Sequence, residues 1–141
     1  MKQRVKHHLI VTLAFAFLFV LSGCSNLING QEAKTHVESF FDVVAEGDFQ
    51  AAKTYLHPSQ TEDIESFFAV VEEAKGVDFQ SGIVIQKYTG GACVMYDSTV
   101  GGGIYELRMI ITVSEKNLSL TISLIKNNDG FGIHNINFNA E

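Results

Sequence analysis

The side chains able to do chemistry are spread thinly along this chain. Asp97, Tyr105 and His134 all fall on strand-like segments, where a carboxylate or imidazole could act as a base beside an orienting phenol. Each also has a plain role: Asp97 opens a loop, Tyr105 fills the end of a sheet and His134 faces water. No partner able to shift their acidity can be named from the sequence, so no catalytic residue is assigned. His36 and His57, with Asp63, invite a metal reading, yet their spacing matches no ligand pattern, and helix-surface and helix-end roles are expected. Gly101-Gly102-Gly103 is followed by neither Lys-Ser/Thr nor a helix, so it reads as a hairpin loop and not a phosphate cradle. There is no Ser/His/Asp ordering, zinc motif or nucleotide fingerprint, and no metal or cofactor is expected. Two thiols remain. Cys93 lies in the apolar run Ala92–Tyr96 and reads as a small buried hydrophobe. Cys24 follows Leu21-Ser22-Gly23, at the end of an apolar run.

The setting of Cys24 is the most specific feature of the sequence. Lys2, Arg4 and Lys6 come first, and no acidic residue occurs before Glu32. Leu9 to Leu21 is then apolar except for Thr12. As a helix this run would span about 20 Å, short of a hydrocarbon core of roughly 30 Å. A basic start, a short apolar stretch and small residues form the layout of a secretory signal. Leu21-Ser22-Gly23-Cys24 resembles a lipobox, the processing sequence of bacterial lipoproteins. That resemblance implies a signal peptide over 1–23, a diacylglyceryl group on the Cys24 sulfur and Cys24 as the first residue of the mature chain. Two or more acyl chains give a stable membrane anchor where one alone is marginal. Residues 24–30 then form the lipidated cysteine and its tether, and the six residues after Cys24 reach at most about 20 Å. The expected location is the bacterial cell envelope, on the outer membrane facing the periplasm in a Gram-negative cell.

Composition limits what the rest can do. Beyond residue 23, seven Lys and Arg stand against sixteen Asp and Glu, a formal charge of −9. That excess argues against nucleic acid as a partner and against an electrostatic grip on anionic lipid. The length suits one domain, residues 31–141, with a moderate core. With Cys24 acylated, Cys93 has no cysteine left to pair with.

Periodicity supplies the elements. Ala33, Val37, Phe40, Phe41 and Val44 form one stripe of a helix over 31–46, stopped by Gly47. Asp48 caps a short second helix through Leu56, broken by His57-Pro58. Ser59 and Glu62 suggest a capping box for a third helix, which closes at Lys75-Gly76. Strands are expected over 77–88, 92–97, 104–114, 118–126 and 131–138, with Gly90-Gly91 as a turn. Leu118, Leu120, Ile122 and Leu124 alternate with Ser119, Thr121 and Ser123, the pattern of an antiparallel strand with one wet face.

Helices followed by an antiparallel meander predict an α+β domain, with the N-terminal helices packed on a curved sheet. Ala33 to Leu56, with Phe40-Phe41, Gly47-Asp48-Phe49 and Ala51-Ala52, resembles the opening of small lipoproteins of the nuclear-transport-factor-2-like, or cystatin-like, superfamily. The final strands split by Asp129-Gly130 are similar to the end of that fold. Where many such relatives place a Trp after this turn, the chain has Phe131. The resemblance implies an open-mouthed cone, used by enzymes and non-enzymes alike. The strands expected to face inward offer Leu, Ile, Met and Val, so the interior reads as filled. The expectation is therefore a non-catalytic envelope module that meets a partner protein or a small apolar ligand at a rim of Tyr55, Tyr105 and His134. The alternative is a small lyase or isomerase with a polar pocket in the cone.

Overall fold

The computed structural model describes residues 27–139; the signal segment and Cys24 lie outside them. Three helices precede a curved, open sheet of four antiparallel strands in the order β1-β2-β3-β4. Helix α1 spans Gly30–Ala45 and buries Ala33, Val37, Phe40, Phe41 and Val44, the stripe read from the sequence. Asn29 caps it, its Oδ1 accepting from the amides of Gln31 at 2.7 Å and Glu32 at 3.1 Å. At its far end Gly47, at φ 73°, lets its own amide reach Val44 O and that of Asp48 reach Val43 O. These two bonds satisfy the last carbonyls and turn the chain into α2 (Phe49–Lys53), capped by Asp48.

Helix α3 spans Ile64–Lys75 and ends on Gly76 at φ 61°. The Lys116 ammonium donates to the carbonyls of both Lys75 and Gly76 at 3.0 Å, tying this helix end to the sheet. The strands are β1 (Ile83–Asp97), β2 (Gly102–Val113), β3 (Lys116–Asn127) and β4 (Gly130–Phe138). Leu107, Met109, Ile111 and Val113 of β2 and Leu118, Leu120, Ile122 and Leu124 of β3 line the inner face, at most 4 % exposed. They meet Phe40, Val44 and Phe68 in one core, while Ser119 is exposed and Thr121 and Ser123 are half-buried. Phe68 is the hub of an aromatic cluster, with ring centroids 4.8 Å from Phe79, 5.4 Å from Phe67 and 6.0 Å from Phe40.

Several boundaries differ from the sequence reading. Asp63 sits at the start of α3, not Ser59. The Ser59 amide instead bonds His57 Nδ1, which holds 59 to 63 outside the helix. The segment after Gly76 does not enter the sheet directly, because Asp78 Oδ1 accepts from the Gln80 amide and starts a 3-10 turn at Phe79–Ser81. That turn sends Phe79 into the core. Gly90-Gly91 is not a turn either; it lies within β1, paired with Arg108 and Leu107. A Cβ on Gly91 would stand 3.4 Å from the Tyr105 hydroxyl, and one on Gly90 3.3 Å from Arg108 Nε. The glycines admit these side chains of β2 over β1, and shifts in register on either side take up the irregularity. The folded unit also begins before residue 31, since Ile28 is buried at 2 % and Asn29 is the cap.

Candidate functional site

The described residue that best combines a polar side chain with aromatic walls is His36, on the flank of the α1 stripe. Its Nε2 lies 2.8 Å from the main-chain oxygen of Tyr55. A carbonyl can only accept, so Nε2 carries a proton, and in the neutral ring Nδ1 is left as an acceptor. The same Tyr55 oxygen accepts from the Ile133 amide at 2.9 Å, and the His57 amide reaches Ile133 O at 2.8 Å. These bonds form a short parallel bridge that fixes residues 55–57 along the free edge of β4. Gly132 makes the approach possible, because a Cβ there would come within 2.5 Å of the His57 amide nitrogen.

The His36 ring is held between Tyr55, edge-on at 5.1 Å, and Phe131, tilted at 4.7 Å. Asn29, Gln31, Glu32, Thr35 and Ser39 complete the wall of an open groove of about 490 Å³. At its rim Lys126 pairs with Glu32 at 3.2 Å and lies 5.6 Å from the Phe131 ring centroid. The groove can accept a hydrogen bond at His36 and offers aromatic contact area at Tyr55 and Phe131.

His57 is the buried counterpart, 1 % exposed. Its Nδ1 accepts from the Ser59 amide at 3.1 Å and its Nε2 meets Asn127 Oδ1 at 3.0 Å. Asn127 Oδ1 also takes the amides of Asp129 and Gly130, and its Nδ2 donates to Val100 O at 2.8 Å. One asparagine therefore joins the helical segment, the β3–β4 turn and the β1–β2 loop. Every polar atom of the His57 ring is satisfied, which makes it a fastening and not a free base.

The structure does not gather the residues singled out in the sequence. Tyr55 lines the groove, but Tyr105 pairs with Leu124, which pairs with Ile133, beside which Tyr55 lies. Three strand spacings, about 14 Å, thus separate the two tyrosines. Tyr105 instead lies against Gly30, where a Cβ would stand 2.6 Å from its hydroxyl. His134 is the extra residue in a register shift of β4; its carbonyl accepts from Gln60 Nε2, and its Nδ1 is buried with no hydrogen-bond partner among the described residues. Asp97 sits four residues beyond Cys93, the partner of Tyr105, about 13 Å along the strand. Its carboxylate accepts from both the hydroxyl and the amide of Thr99, which hold it below the usual carboxylate range. Gly102 and Gly103 are buried members of β2 rather than a free loop. Cys93, expected inside, is exposed. It lies on the half of β1 that the helices do not cover.

Sequence reasoning placed His36 on the helix surface and missed the groove. The available signal was its position beside Val37 and four residues before Phe40, on the border of the apolar stripe. What it lacked was the distant partner, since Tyr55 and Phe131 are brought to it by the edge bridge. Among the described residues no group of three or more His, Cys, Asp and Glu is arranged to hold a metal ion, and no helix is long and apolar enough to cross a membrane. No protein family, curated protein or solved structure matches the chain.

Proposed function

We propose that this chain is a lipid-anchored protein of the bacterial cell envelope, built on the nuclear-transport-factor-2-like cone, whose folded part works by binding and not by turnover. The anchor rests on Leu21-Ser22-Gly23-Cys24 behind its basic and apolar signal. The binding reading is carried by one observation: the inner face of the sheet is filled. Leu107, Met109, Ile111, Leu120, Ile122 and Leu124 are each no more than 1 % exposed, where an enzyme of such a fold needs a polar pocket. The polar concavity lies outside, in the groove of His36, Tyr55 and Phe131. An open groove with two aromatic walls suits a segment of another envelope protein or a small apolar ligand. Tethering at a membrane raises the effective concentration of such a partner and helps a weak contact.

The test is a photo-crosslinking residue placed in the intact protein, in cells, at Thr35 in the groove or at Ser119 on the opposite face of the sheet. Adducts of defined mass from position 35 and none from 119 are expected. Equal labelling at both positions, or none at 35, would contradict the groove. Chemical turnover lost on Tyr55→Ala would replace binding by catalysis.

A further inference from the structure

The far half of β1 is unlike any other strand surface here. From Ala92 to Tyr96 it carries no charge, and Val94, Met95 and Tyr96 are 45 %, 73 % and 65 % exposed. It is also the outer edge of the sheet, a position that proteins usually blunt with Lys, Pro or a covering element. On its neighbour, Ile104 pairs with Val94 and is only half-buried, so the apolar surface spans both arms of the β1–β2 hairpin. Cys93 and Val94 point to opposite faces of the strand, so apolar side chains stand on both sides of this edge, and exposed apolar surface of this kind marks a site of contact with a partner or a membrane.

The path of the chain indicates the occupant. The Cys93 thiol lies 4.0 Å from the carbonyl oxygen of Ile28, so the segment leading into α1 passes beside this hairpin. Leu27, next to it, is itself 48 % exposed. Cys24 is three residues further back, which at full extension is about 10 Å. Lipid on Cys24 would therefore enter its bilayer next to Leu27, Val94, Met95 and Tyr96. The first charged side chain along β1 past the patch is Asp97, turned onto Thr99. Tyrosine is the side chain suited to the boundary between acyl chains and water, with an apolar ring and a hydroxyl left wet.

We propose that the tip of the β1–β2 hairpin, together with Leu27, lies in the membrane interface beside the lipid of Cys24 and fixes how the domain stands on the bilayer. This inference rests on the lipid anchor argued above. It needs no anionic lipid, since the contact is apolar and the chain is acidic. Immersion is shallow, about 5–10 Å, as for other interfacial elements. The β2–β3 turn, with the C-terminal end of α3 that Lys116 ties to it, lies at the opposite end of the sheet, away from the lipid.

The experiment uses the acylated protein in phosphatidylcholine vesicles. Met95→Cys in a Cys93→Ser background carries an environment-sensitive fluorophore, and Ser119→Cys in the same background is the reference. Intact mass of each sample records whether Cys24 bears lipid. The proposal expects brominated acyl chains to quench the label at 95 and aqueous iodide to spare it, with the reverse at 119. In protein whose mass includes the lipid, a label at 95 that iodide quenches as fully as at 119 would overturn the proposal and leave the anchor standing. A label at 95 shielded from both quenchers would also overturn it, in favour of a second copy of the chain on the hairpin edge. A Cys24 without lipid would remove the anchor and this inference with it.

Discussion

Asn127→Ala removes the side chain that gathers three segments at one end of the sheet. The largest loss falls on His57, which is 1 % exposed and whose Nε2–H has Asn127 Oδ1 as its acceptor. A buried donor left without a partner costs about 1–3 kcal/mol. The amides of Asp129 and Gly130 and the carbonyl of Val100 lose their bonds as well. They lie near the surface, where water replaces much of each bond, so together they add about 1 kcal/mol. The sum is about 2–4 kcal/mol. Urea denaturation followed by circular dichroism would read it as a lower midpoint with an unchanged slope. A double-mutant cycle isolates the central bond. With His57→Leu already present, Asn127→Ala should cost less by about 1–2 kcal/mol, because no buried donor remains to be orphaned. Strict additivity, or a cost below about 0.5 kcal/mol for Asn127→Ala alone, would refute the reasoning, since surface changes are that small.

Two further outcomes follow from the packing and from one phenol. Leu120→Ala or Ile122→Ala should each destabilise by about 2–5 kcal/mol in the same denaturation assay, as both are 0 % exposed. Tyr88 donates to Glu38 Oε1 at 2.9 Å, and burial first, then Glu38, push its phenol well above its ordinary value of 10.0. The folded state therefore keeps a proton that the unfolded chain releases, and stability present below pH 10 is lost as pH rises past it. Tyr88→Phe should flatten that alkaline loss in melts taken between neutral pH and about pH 11; an unchanged slope would count against the assignment.

Much of the fold could be read from residue types. The α1 stripe, the glycine stops at 47 and 76 and the alternation of β3 are short-range patterns, and each appears where it was expected. The misreadings came from local signals with two meanings. Gly90-Gly91 reads as a turn, yet serves to admit Tyr105 and Arg108 of the neighbouring strand. Asp78 caps a 3-10 turn inside a segment rich in strand formers. Cys93 looks buried because its neighbours are apolar, and no local pattern says that the helices stop short of that half of β1. The groove depended on longer reach: His36, Tyr55 and Phe131 meet through the edge bridge at Ile133, which no periodicity encodes.

Attachment to a membrane through Cys24 underlies both the binding and the orientation proposed for this domain. Its most direct test is intact-mass and N-terminal peptide mass spectrometry of the protein purified from bacterial membranes. The expected product is a chain starting at Cys24 with a diacylglyceryl group on the sulfur, and a Cys24→Ser form that carries no lipid and is not cleaved at this site. A mature chain that begins at another residue, or one starting at Cys24 with a free thiol, would contradict it.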